Sequence, residues 1–237
     1  MKNSEIRKKA RECLEGKWGK VALITLLFSI IQLVLSSLTS MFEKSSPFLS
    51  LIINIISLLV NVPLTYGLFS TFVKIKRNEE VSTTNFIDVA FDNFGRSWGI
   101  ALRIILKTLV PFIVTIVLFT LIGSMQILRF YSGSGSSFAT VILFVAFIFA
   151  SIWLTIRTLF YSLSYIAAYE NPEMDPKDII NNLQQLSKNN ATKLFLLVLS
   201  FIGWAILACF TLGIGILWLL PYMYISYVIF YDDISNN

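Results

Sequence analysis

The sequence contains no histidine. That removes the commonest metal ligand, the commonest general base, and every Ser-His or Cys-His arrangement. An H-E-x-x-H metal motif cannot occur. Cysteine is nearly absent as well. Cys13 and Cys209 stand in unlike contexts and form no C-x-x-C pair, so no disulfide is expected. Charge is scarce: Asp, Glu, Lys and Arg make up 14% of 237 residues, against about a quarter in soluble domains. No P-loop and no G-x-G-x-x-G is present. No Asp or Glu falls deep in an apolar run, so the paired aspartates of an intramembrane hydrolase are missing. The chain is therefore read as non-enzymatic, with no catalytic residue, no metal ligand and no cofactor. The ~10-residue alternating segments of a membrane β-barrel are also missing.

What is present is apolar length. Hydrophobic residues make up 56% of the chain, and several runs reach the ~18–20 residues that cross a ~30 Å hydrocarbon core. The expected fold class is all-α: a polytopic membrane protein with one domain over 1–237. Six transmembrane helices are expected, over about 20–42, 48–74, 99–128, 138–160, 193–210 and 214–231, the fourth with a helical extension to about 169. The first run is long for a signal-peptide core and no A-x-A site follows it, so it is read as a retained span.

The cations orient these spans. Lys2, Arg7, Lys8, Lys9, Arg11, Lys17, Lys20, Lys74, Lys76, Arg77, Arg96, Lys177, Lys188 and Lys193 fall on one side, and only Lys44 and Arg129 on the other. This is a strong positive-inside asymmetry. It predicts a multi-pass protein of the bacterial cytoplasmic membrane with both termini cytoplasmic. The net charge of +5 is then a matter of topology, and no nucleic-acid partner is expected.

A short amphipathic stretch precedes three of the spans, which suggests a threefold helix-hairpin repeat. In the first, Ile6, Ala10, Cys13, Leu14 and Trp18 share a face. In the second, Ile87, Ala90, Phe91, Phe94 and Trp98 do so, and in the third, Ile179, Leu183 and Leu186. Start signals are Ser4, Thr83 or Thr84, and Asp175 followed by Pro176. These stretches are expected to be cytoplasmic helices in the headgroup plane, the alternative being loops that fold against the bundle. "SYIAAYEN" (164–171) and "SYVIFYDD" (226–233) repeat a Ser-Tyr-x-x-x-Tyr-acid pattern. Tyr161, Tyr165 and Tyr169, and Tyr224, Tyr227 and Tyr231, fall on single faces and read as an aromatic belt.

"YENP" (169–172), "LSFIGW" (199–204), "TLGIG" (211–215) and "LPY" (220–222), with "EIRKKARECLEGKWGKV" and "PLTYG" (63–67) upstream, resemble one family. It is the domain-of-unknown-function 975 family, integral membrane proteins found mainly in Gram-positive bacteria. One departure is "KNNATK" (188–193), where the family usually has a glycine; asparagine also tolerates left-handed backbone. The resemblance implies a membrane location and six spans, and no mechanism.

Three cations lie within or beside apolar runs. A third span starting near Trp98 places Arg103 ~8 Å and Lys107 ~14 Å along it. Alternatively, an interfacial helix continues through 108 and the span is 109–128. Arg157 lies ~28 Å from Phe138, at the cytoplasmic edge. Arg103, Lys107 and Arg157 could form one inner-leaflet layer that binds an anionic headgroup. They could equally anchor the helices by snorkelling, or pair with Glu170, Asp232 or Asp233. Asn54 and Asn61 share a face of the second span just before Pro63. They fit interhelical hydrogen bonding, or a polar cavity beside a proline break. Ser200 and Gly203 fit close helix packing.

The expected function is binding or translocation of a lipid or other amphiphile, with membrane lipids as partners. The alternative is an interaction protein, such as an antimicrobial-peptide immunity or transporter-accessory factor, that meets a hydrophobic peptide or a partner membrane protein.

Overall fold

In hydrocarbon every backbone polar group must be satisfied within its own segment, so apolar runs of this length form helices. A computed structural model describes residues 1–43, 46–132 and 137–236. The described residues form ten helices and no strand: α1 (Asn3–Leu14), α2 (Trp18–Glu43), α3 (Pro47–Lys76), α4 (Asn85–Asp92), α5 (Phe94–Ser132), α6 (Ser137–Ser162), α7 (Ser164–Glu170), α8 (Pro176–Leu199), α9 (Ile202–Phe210) and α10 (Ile216–Ser235). The expected loop at 131–137 lies largely outside the described residues.

Five stretches are long and apolar enough to cross a membrane: Trp18–Phe42, Pro47–Lys76, Phe94–Tyr131, Phe138–Glu170 and Pro176–Phe210. The first four match expected spans. Neither Pro63 nor Pro111 breaks its helix. The third span starts earlier than expected, because the end of the second amphipathic stretch runs into α5. The fifth stretch departs most. Its amphipathic part and the start of the expected span form one helix, α8, which ends at Leu199. The Ser200 hydroxyl donates to the Leu197 carbonyl at 2.6 Å, and the chain restarts as the nine-residue α9.

The sixth expected span is not among these five. Its helix, α10, carries Tyr222, Tyr224, Tyr227 and Tyr231, with Asp232 and Asp233 in its last turn. From Pro221 onward it is enclosed by protein: Ile225 and Val228 are fully buried, and Phe230 nearly so. It packs against α1, α2, α3, α7, α8 and α9 in a base whose core also takes in α4 and the inner ends of α5 and α6.

The amphipathic stretches spend their apolar faces on this base. Ile6, Ala10 and Leu14 of α1 share the expected face, but protein rather than the expected headgroup plane covers it. α8 starts as read: Asp175 Oδ1 accepts the Lys177 N–H at 2.7 Å, with Pro176 in the first turn. α1 starts differently. Lys2, not Ser4, precedes it, and the Glu5 carboxylate accepts the Lys2 N–H at 3.0 Å. In α4 the buried face is Phe86, Val89 and Ala90, whereas Phe91 and Phe94 are exposed. The reason is Gly67: α4 lies so close to α3 that a Cβ there would collide with the Phe86 carbonyl, and this approach sets the rotation of α4.

The tyrosines are core rather than belt. Tyr165 stacks on Phe69, Tyr224 stacks on Phe72, and Tyr161, Tyr227 and Tyr231 are buried. Beyond the base, α2, α3, α5 and α6 continue as two hairpins with few buried residues.

Candidate functional site: cations at the base

Several base cations hold helices together. Lys76 pairs with Asp232, and Arg77 Nη2 pairs with Glu170 Oε1 at 2.8 Å. Arg96 Nη2 donates to the carbonyls of Ala168, Asn171 and Met174 at 3.1, 2.7 and 3.1 Å. It thereby caps the C-terminal end of α7, where exposed carbonyls favour a cation. "YENP" is thus a structural joint: Glu170 meets α3, Asn171 closes α7, and Arg96 ties both to α5. The pattern of charges alone marks Arg96 only as a topology signal.

Lys107 bonds α8, Arg103 reaches the residue that caps its start, and Arg157 faces a groove beside it. Arg103 donates to the Gly99 carbonyl at 2.8 Å and to Asp175 Oδ1 at 3.4 Å. Lys107 Nζ donates to Gln184 Oε1 at 3.1 Å. Arg157 lies over the Trp153 ring, 5.4 Å from its centroid, a cation–π distance. It lines a groove of about 240 Å³ between α6 and α8 that Gln184 and Lys188 also line. Gln184 therefore links Lys107 to the groove of Arg157. The acids weighed as partners are engaged elsewhere: Glu170 and Asp232 as above, and Asp233 with the Met1 amine at 2.8 Å. Asp175 takes Arg103 instead.

Asn54 and Asn61 act separately. Asn54 Nδ2 donates to the Ser50 carbonyl of its own helix at 2.9 Å. Asn61 Nδ2 donates across to Gln32 Oε1 of α2 at 2.8 Å, and the Thr65 hydroxyl donates to Asn61. Gln32 Nε2 and Ser57 Oγ are buried without partners among the described residues. Gly203 does not mediate close packing, since a Cβ there would meet open space.

Two further cavities escaped the sequence reading. One, about 770 Å³, opens on the base beside α8 and the end of α10, lined by the carboxamides of Asn171, Asn182, Gln185, Asn189 and Asn190. The other, about 370 Å³, is apolar and lined by Trp18, Trp204 and Trp218, with Arg11 at its edge. The pieces "LSFIGW", "TLGIG" and "LPY" each contribute a wall: Trp204, Thr211 with Gly215, and Tyr222. Residues this far apart in sequence gave no joint signal. Among the described residues no three His, Cys, Asp or Glu side chains converge as a metal site.

No curated protein and no solved structure is significantly similar to the chain. The model of a protein family of unknown function, DUF975, matches residues 1–237, and the chain belongs to that family.

Proposed function

We propose that this is a non-enzymatic, multi-pass protein of the bacterial cytoplasmic membrane that binds the anionic end of a lipid or other amphiphile. The observation that carries this reading is the α6–α8 groove. There Arg157, Lys188 and the Gln184 side chain held by Lys107 stand at the inner end of helices whose outer surfaces are apolar. Cations at this depth reach phosphate headgroups by snorkelling.

This reading places the base and both termini on the cytoplasmic side, which the asymmetry of the loop cations supports. α2, α3, α5 and α6 then cross the bilayer, and α8–α9 enters it. The test is native mass spectrometry of the purified protein. The triple variant Arg103→Gln, Lys107→Gln, Arg157→Gln is expected to retain less co-purifying anionic lipid than the unaltered protein. Unchanged lipid retention in a correctly folded triple variant rejects the site.

The amide-lined cavity favours a second reading, an accessory or immunity protein whose partner docks on the cytoplasmic base. That reading expects deletion to sensitise cells to a membrane-active peptide with lipid composition unaltered. Unchanged sensitivity across a peptide panel rejects it.

A further inference from the structure

The α9–α10 hairpin is short. α9 has nine residues, ~14 Å of helix, and α10 projects from the base only over Ile216–Leu220 before Pro221 is buried. Beyond the base, by contrast, α3 runs ~24 Å over 47–62 and α6 ~33 Å over 138–159. A hydrocarbon core is ~30 Å thick.

α1 fixes where that core begins. It runs beside the buried half of α10, held by the Tyr222 hydroxyl donating to the Arg7 carbonyl at 3.3 Å and by the Met1 amine on Asp233. Its outer face carries Lys8, Lys9, Arg11 and Glu12, all exposed. Such a face cannot lie against lipid tails. The hydrocarbon therefore begins near Trp18 and Tyr222, and the hairpin reaches about the bilayer midplane.

The apolar groove lies between this hairpin and the α1–α2 corner. Its 370 Å³ falls in the ~300–1,000 Å³ range of ligand pockets. Trp204 and Trp218 are 50% and 43% exposed, so the groove is open sideways to lipid. At its headgroup end Arg11 makes no hydrogen bond or ion pair among the described residues. One turn earlier, Arg7 Nη1 donates to the Ser200 carbonyl at 3.4 Å, while its Nε is buried with no partner among the described residues. A peptide in the groove would bring backbone N–H and C=O groups that these walls could not satisfy. An acyl chain brings none.

We propose that this groove binds one anionic phospholipid of the cytoplasmic leaflet, its phosphate at Arg11 and one acyl chain along Trp18, Trp204 and Trp218. The site rests on the bilayer placement above and is independent of the α6–α8 groove.

The test is a native mass spectrometry titration of the full-length protein with phosphatidylglycerol and, separately, phosphatidylcholine. Arg11→Gln weakens the tightest phosphatidylglycerol binding about fivefold, the value of one headgroup cation, and leaves phosphatidylcholine unchanged. Arg11→Lys restores it. Leu207→Trp, which fills the groove, removes that bound lipid, whereas Arg157→Gln leaves it in place. Phosphatidylglycerol binding unaltered by Arg11→Gln overturns the proposal, as does loss on Arg157→Gln alone. If Leu207→Trp fails to fold, the exposed Arg11 variants still decide. Failure of the bilayer placement is read separately. Cys209 at the hairpin end stays unlabelled by a membrane-impermeant maleimide added outside intact cells, while Phe130→Cys on the far hairpin is labelled. Labelling of Cys209 from outside rejects the placement.

Discussion

The base and the outer hairpins are built from similar residues and packed by different rules. In the base, Phe72, Phe86, Ile166 and Val228 are essentially inaccessible. Along residues 26–62 and 102–159, only Ser50, Pro111, Thr140 and Ala150 are buried among the described residues. Phe112 and Phe119 are about as apolar as Phe72, yet 53% and 66% exposed. Water drives the base to close, whereas lipid tails give apolar side chains no reason to leave them. The base is a folded core; the outer hairpins take the bilayer as part of their packing.

A matched pair of truncations tests that contrast most sharply. Phe72→Ala should cost about 3–5 kcal/mol of stability, as for other buried phenylalanines. Phe112→Ala should cost under about 1 kcal/mol in bilayer nanodiscs, since lipid fills the space. Equal losses in thermal unfolding would erase the distinction between the regions. Next comes Gly67→Ala, which leaves α3 helical but forces α4 away; it should cost about 1–3 kcal/mol. A neutral result would mean that the α3–α4 contact is looser than it stands here. Within the outer region, Asn61→Leu removes the bond to Gln32 and should cost about 0.6 kcal/mol, a typical intramembrane hydrogen bond. A loss above about 2 kcal/mol would mark the Gln32–Asn61–Thr65 cluster as part of a built cavity.

The smallest effect is chemical. Burial raises the Cys13 thiol above its ordinary value, and the Lys17 and Lys76 cations lower it by less. Its thiolate is therefore rarer than a free thiol's at pH 8, so alkylation should be slower in the folded protein and should accelerate as pH rises. A rate equal to that of the unfolded chain would place Cys13 outside the base.

Much of the outer region was legible because a run of apolar residues needs no partner to become a helix in lipid. The span boundaries of α2, α3 and α6 follow directly, and Asp175-Pro176 marked the start of α8. The base was harder. Periodicity finds an apolar face but does not say whether lipid or protein covers it, so the tyrosines of α10 read as a belt and α10 itself as a span. The break after Leu199 was also hidden, since it sits where Arg7 of a distant helix donates to the Ser200 carbonyl. Of the candidate site, the three cations were visible but the setting of each beside α8 was not. It depends on Asp175 and Gln184, residues with no distinguishing sequence signal. Arg11 was counted only as a topological charge, because its groove is assembled from α1, α2, α9 and α10.

The position of α10 within the base bears on how the protein is made. α1, α3 and α7 all leave the ribosome before the helix they enclose. Until α10 arrives, Phe72 lacks the Tyr224 ring it stacks on, while the outer hairpins can already settle in lipid. Insertion and closure of the base are therefore separate events, and a chain halted between them would be correctly threaded yet unfinished.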